Sequence, residues 1–149
     1  MNMHARLFHA TTAYRDASQT ESPARQIVLL YDVAILRLTE ARTAITENRI
    51  EDRFRLVIKA FDIVQALHAC LDVEQGGEIA PLLQRFYDRA MNRMLEINRT
   101  NDPAICDEVA AYLRPMRDSW AQIAAGPAPG MAAVHAAAAA EPSPASLTT

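Results

Sequence analysis

Between Ser22 and Ala125 apolar side chains recur at spacings of three and four, the period of one face of an α-helix. The clearest run is Ile27, Tyr31, Ala34, Leu38, Ala41 and Ile45, which steps by four and three in turn. A stripe of this kind has to be covered by other helices. The punctuation of the chain agrees: glycine occurs only four times in 149 residues, and the prolines fall almost wholly at the edges of periodic segments. These features predict an all-α fold.

The helix ends are marked by local chemistry. Ser22-Pro23 pairs an N-cap hydroxyl with a proline at the first helical position, where a missing N–H costs nothing. A first helix opens there and stops near Asn48. A second is predicted from about Glu51 to Leu71, with Phe54, Ile58, Phe61, Ile63, Val64, Leu67 and Leu71 facing inward. Gly76-Gly77 break the chain, because glycine costs about 1 kcal/mol in a helix relative to alanine. The third helix carries Ile79, Leu83, Phe86, Ala90, Met94 and Ile97 and ends at Asn101. Asp102-Pro103 repeats the cap-then-proline start, and the fourth follows with Ile105, Val109, Tyr112, Met116, Trp120 and Ile123. Pro115 removes one bond to the Ala111 carbonyl and is expected to kink that helix.

Four helices of about twenty residues with short connections imply an antiparallel up-down four-helix bundle over residues 22–125. Residues 1–21 are polar and aperiodic and are expected to be a flexible arm with an apolar anchor at Leu7, Phe8 and Tyr14. Residues 126–149 are rich in Ala, Pro, Ser and Thr, with no apolar face, and read as a disordered tail.

Several function classes are excluded by composition. A net charge of −3 with interspersed signs leaves no basic stripe for a nucleic acid. No apolar run approaches the roughly 20 residues needed to cross a bilayer, so membrane insertion is not expected. Residues 1–10 lack the apolar core of a signal peptide, which points to the cytoplasm. Cys70 and Cys106 sit in apolar helical patterns and are expected to be buried free thiols. A catalytic di-metal bundle would use Glu-x-x-His units, and none occurs. His68 reads as a hydrogen-bonded boundary residue, and Asp72, Glu74 and Glu78 as a solvated turn rather than a metal site. Gly76-Gly77 lacks the strand and Lys-Ser/Thr of a phosphate loop. Neither Ser22 nor Ser119 has a nearby His in sequence. No cofactor, metal site or catalytic residue is expected.

The first two helices carry more apolar surface than a bundle core requires. Helix 1 adds Val28, Leu29, Ile35 and Leu36 to its seam, and helix 2 has a second stripe of Leu56, Ala60, Ile63, Leu67 and Cys70. Such surplus needs an occupant: a partner, a second copy or the chain's own arm.

Ser22-Pro23 followed by Ile27 to Asp32 resembles the opening helix of the flagellar export chaperone family FliS. Leu71-Asp72 with Gly76-Gly77-Glu78-Ile79-Ala80 is similar to its most specific stretch. Phe86-Tyr87-Asp88, Arg93, Asn98, Asp102, Arg117 and Trp120 follow the same pattern, and Tyr14 is similar to a tyrosine of the family's arm. Val33 departs from it, standing where the family usually has glycine, as do Gln19-Thr20-Glu21, Pro115 and the long tail. The resemblance implies a non-enzymatic cytoplasmic chaperone that holds the C-terminal segment of flagellin, prevents its premature polymerisation and aids delivery to the export apparatus. It implies a flagellin surface of Tyr14, Ile27, Leu30, Tyr31, Ile35, Leu71, Ile79, Ala80 and Leu83, and an arm plug of Phe8 and Tyr14. Asp32 and Asn98 are expected to cap or bridge polar ends. An export gate or co-chaperone is a further expected partner, and the chain itself a monomer or weak homodimer. The competing reading is a self-associating bundle with a structural or adaptor role.

Overall fold

Ser22 Oγ accepts from the Arg25 N–H at 3.2 Å, and Asp102 Oδ1 accepts from the Ala104 N–H at 2.9 Å. Each bond satisfies a donor that the first turn of a helix otherwise leaves unpaired. In the computed structural model, which describes residues 22–71 and 77–126, these caps open two of four α-helices. The four are α1 (Pro23–Thr46), α2 (Ile50–Ala69), α3 (Ile79–Thr100) and α4 (Pro103–Ala125). Asn48 and Asn101 stop α1 and α3 with φ of 59° and 57°, a left-handed conformation that asparagine tolerates. The Asn101 N–H returns to the Ile97 carbonyl at 2.9 Å. Gly77 has φ of 58°, and no atom lies within 4 Å of where a Cβ would stand. Its role is therefore torsional rather than steric. The expected arm and tail, with Leu7, Phe8 and Tyr14, lie outside the described residues, as do Asp72, Glu74 and Gly76.

α1 packs against α2 and α4, and α3 packs against the same two. The cross-links give the directions. Arg42 pairs with Asp107 and Asp32 with Arg117, so α4 runs antiparallel to α1. Arg53 reaches the Ile97 and Asn98 carbonyls while His68 lies 3.6 Å from Asp88, so α3 runs antiparallel to α2. Arg93 grips Glu108 across the tight α3–α4 turn. The result is the predicted antiparallel four-helix bundle.

Its core holds Trp120, Tyr31, Tyr87, Phe86, Leu38, Leu83, Met94, Ile97, Leu113 and Met116. Each large side chain of this kind stabilises the fold by about 1.5–3 kcal/mol on burial. Ala34, Ala41 and Ala44 are fully buried on α1 and Ala60 on α2, and these small side chains let the backbones approach. Tyr31 donates its hydroxyl hydrogen to Tyr87 Oη at 2.9 Å, joining α1 to α3 across the diagonal of the bundle. The Trp120 indole nitrogen is buried beside Tyr31 but makes no well-formed hydrogen bond. Phe86 stacks on Tyr112 at 4.5 Å between ring centres.

One detail differs from expectation. The inward row of α2 is Arg53, Val57, Ala60, Val64 and Leu67. Phe54 is instead 52% exposed, and Ile58, Phe61 and Ile63 are only half-buried. The helix is rotated by about one residue because Arg53 turns inward. Its Nη1 donates to the Asn98 carbonyl at 2.7 Å and to the Ile97 carbonyl at 3.3 Å. Those carbonyls belong to the last turn of α3, the negative end of its dipole, where a cation is favoured. Pro115, meanwhile, lies inside an uninterrupted α4. It is exposed, and so is Ala111, so water can reach the carbonyl that loses its helical partner.

Candidate functional site

Three large apolar side chains of α1 point away from the core: Leu29, Val33 and Leu36. They stand at i, i+4 and i+7, so they form one stripe along the helix. Asp32 and Arg42 mark the flank of α1 that meets α4. Helical spacing puts Leu29 and Leu36 on the face of α1 directly away from the core, with Val33 beside them on the side toward α2. There α2 presents Leu56 and Ile63, half-buried against the core. Towards the α1–α2 turn the groove opens into a cleft of about 450 Å³ lined by Glu40, Thr43, Arg49, Asp52, Arg55, Leu56 and Lys59. Gln26 stands one turn before Leu29 and Leu30, and both atoms of its carboxamide are buried without a hydrogen-bond partner. The floor of the groove is apolar and its turn end is charged.

The other flank of α2 carries a second stripe: Ile50 and Phe54 exposed, Ile58 and Phe61 half-buried. His68, on that same flank, is the residue that meets Asp88 of α3. From α3 the stripe is joined by half-buried Met91 and by Leu95, which is 48% exposed. α2 therefore separates two apolar strips.

The residues that the family resemblance singles out do not all reach these strips. Leu30 is half-buried and lies on the α2 flank of α1, beside the groove. Ile35 is half-buried on the α4 flank, and Leu71 is half-buried just beyond α2. Ile27, Tyr31, Ile79, Ala80 and Leu83 are buried in the core. Tyr14 and Phe8 lie outside the described residues. Of the surplus residues, Leu29 and Leu36 are exposed, whereas Val28 is fully buried, as is Ala60, and Leu67 nearly so. Sequence reasoning did not single out Val33 or Leu95 as apolar surface, and it placed Phe54 inward. The signal for Val33 was available, since it completes the spacing set by Leu29 and Leu36.

The polar chemistry of the bundle is structural. Arg117 binds Asp32 through Nε at 2.7 Å and Nη2 at 3.3 Å, and this carboxylate holds the guanidinium proton more tightly than usual. Asn98 accepts from Arg53 through its backbone carbonyl, while its side-chain oxygen is buried without a partner. Burial pushes the Tyr87 hydroxyl up to about 12 and the Tyr31 hydroxyl well above its usual range. Burial also raises the Cys70 thiol, and raises Cys106 to about 11, so both free thiols stay protonated and poorly nucleophilic at neutral pH. Among the described residues no three His, Cys, Asp or Glu side chains gather as metal ligands, and no helix is long and apolar enough to cross a membrane. What the arrangement offers is apolar surface for a partner.

Comparison with known proteins points the same way. Residues 8–127 match the protein family described as flagellar protein FliS. The flagellar secretion chaperone FliS of Vibrio cholerae is 34% identical over 102 residues, which cover 68% of this chain and 75% of that protein. The flagellar secretion chaperone FliSB of Pseudomonas aeruginosa is 37% identical over 99 residues, 66% of this chain and 79% of its own length. The FliS chaperone of Salmonella typhimurium is 33% identical over 116 residues, 77% of this chain and 86% of that one.

Proposed function

The chain belongs to the FliS family of flagellar secretion chaperones, and on that premise we propose that its client is flagellin, held by its C-terminal segment in the cytoplasm until export. FliS is a chaperone family and not an enzyme family, in keeping with a site made of apolar side chains.

The observation that carries the proposal is the open α1–α2 groove. Leu29, Val33 and Leu36 face water in the isolated chain although each would be more stable covered. A segment that folds into an amphipathic helix on contact fits such a groove, its apolar residues at three- and four-residue spacing meeting the strip. Leu30, Leu56 and Ile63 form the sides. Buried Ile27 and Tyr31 act beneath α1 as support, as do Ile79, Ala80 and Leu83 in α3; Ile35 and Leu71 extend the contact at its margins. Ordering a client segment costs several kcal/mol, which apolar burial at about 25 cal/mol per Å² offsets. Covering the segment is also what prevents premature polymerisation, because the same apolar face is then unavailable to other flagellin molecules. In the unbound chaperone Phe8 and Tyr14 of the arm serve as a removable plug over part of this surface. The loaded complex is handed to the export apparatus, directly or through a co-chaperone.

Calorimetry of the full chain against the C-terminal segment of its own organism's flagellin tests the reading. One-to-one binding with a clearly negative heat-capacity change is expected, the signature of apolar burial. No heat at high micromolar concentration would overturn it.

A further inference from the structure

We propose that Gln26 reads the backbone of the client: its carboxamide pairs with the N–H and C=O of one extended residue, and so sets where a client helix on the groove has to end. The inference rests on the groove being the client's site and deepens that reading.

Gln26, Leu30 and Val33 stand at i, i+4 and i+7, one row of α1 on the side toward α2. Gln26 heads this row, about 20 residues before the α1–α2 turn, and α2 ends equally far beyond it. Leu56, Ile63 and Cys70 recur every seven residues along the facing side of α2, and all three are half-buried. Gln26 therefore stands at the Cys70 end of the groove, at the far end from the charged cleft. The polar groups of the two ends differ. In the cleft Glu40 accepts from Arg37 at 2.6 Å and Asp52 from Arg49 at 2.8 Å. At the other end Oε1 and Nε2 of Gln26 are both buried and have no partner. Among the described residues the other side-chain atoms in that condition belong to Asn98 and Asn101 near the end of α3 and to Trp120 in the core, away from the groove.

A buried carboxamide without hydrogen bonds is costly to the folded chain. A ligand that removes the cost has to offer an acceptor to the amide hydrogens and a donor to the carbonyl, side by side. Apolar side chains offer neither, and inside a helix the peptide groups are already paired with one another. A residue in extended conformation offers both, since its N–H and C=O point to the same side, as in an antiparallel pair of strands. No hydrogen bond holds the Gln26 head where it lies, and the residue as a whole is only part-buried, so rotation of the side chain brings it to the groove. Leu29, Val33 and Leu36 then take the apolar face of a client helix, and the residue where that helix stops falls to Gln26.

The test compares the full chain with Gln26→Met, which keeps the length of the side chain and removes its hydrogen-bonding groups. Both are followed by melting and by calorimetry against the C-terminal flagellin segment, and the two readouts should move in opposite senses. The thermal midpoint of the free variant should rise by about 4 °C, because an unpaired polar group leaves the interior. Its affinity for the segment should fall about tenfold, because a peptide group of the client is then left unpaired. A group that served only the fold would lower the midpoint and leave the affinity alone. In the parent complex the Gln26 side-chain amide protons, identified by their absence from Gln26→Met, should exchange with water more slowly than in the free chain. Equal affinity of parent and variant, unprotected amide protons in the complex, or a bound segment whose carbon chemical shifts show unbroken helix would each overturn this proposal and leave the client reading intact. A parent that does not bind the segment would overturn both.

Discussion

The two flanks of α2 make an instructive pair. Both are apolar, both are open, and one helix supplies half of each. On the α1–α2 side the exposed residues lie on one helix, Leu29, Val33 and Leu36, and the facing side chains Leu56 and Ile63 are sunk between backbones. That is a groove, and it suits a narrow segment. On the α2–α3 side both helices contribute protruding groups, Phe54 and Leu95 above all. That is a ridge. Similar apolar content thus makes two different surfaces because depth differs. Composition alone would not separate them.

The largest expected effect comes from breaking what sets both flanks at once. Arg53→Ala removes two charge-assisted bonds to the α3 carbonyls and leaves the Ile97 oxygen with only its bond from the Asn101 N–H. A loss of about 3 kcal/mol in urea unfolding is expected. A loss below about 0.5 kcal/mol would mean that the rotation of α2 has another origin.

Next is the contrast between the flanks themselves. Leu36→Glu should weaken client binding by about 2 kcal/mol, or roughly thirtyfold. Phe54→Glu should leave client binding unchanged. If Phe54→Glu weakens it as much, one partner spans both flanks and the division drawn here fails.

A smaller effect concerns the diagonal that holds α1 against α3 and so fixes the distance between the strips. Tyr31→Phe strands the Tyr87 hydroxyl in the core and should cost about 1.5 kcal/mol. Tyr31→Phe combined with Tyr87→Phe should cost less than the two singles summed, since neither hydroxyl is then left behind without the other. The same pair predicts an alkaline loss of stability. Both folded-state values lie above the ordinary tyrosine value of 10, so the folded form binds the proton more tightly. The stabilisation is complete below pH 10 and declines as pH rises through about 12 for Tyr87, with Tyr31 adding to the decline. Cys106 adds a parallel decline from about 9 to about 11. Melting curves between those limits should therefore fall more steeply in the parent than in the double phenylalanine variant.

How much of this was legible depended on how local the cause was. The helix ends could be placed from Ser22, Asp102 and Asn101 because capping involves groups only two to four residues apart. The seam of α3 was legible because one row of that helix is far more apolar than its neighbours, and the seam of α1 because only its row runs unbroken from Ile27 to Ile45. On α2 two adjacent rows are both apolar, Phe54-Ile58-Phe61 and Val57-Ala60-Val64, and no pattern within the helix chooses between them. The choice came from Arg53, whose partners lie 44 and 45 positions away. For the same reason the surplus apolar surface was foreseen as a quantity but not correctly distributed. Val28 is buried although it was counted as surplus, and Phe54 is exposed although it was placed in the core.

The amino-acid sequence by itself determined that this protein is helical, that the described residues form four helices with these ends, that two of them carry too much apolar surface for a simple bundle, and which family it belongs to. All of these rest on spacing, capping and side-chain type, which act within a few residues or are written directly in the order of the chain. Only the tertiary structure decided which apolar residues became core, which became groove and which became ridge. Those outcomes depend on the rotation of each helix about its own axis, and that rotation is set by side chains such as Arg53 and Tyr31 meeting partners far away in sequence.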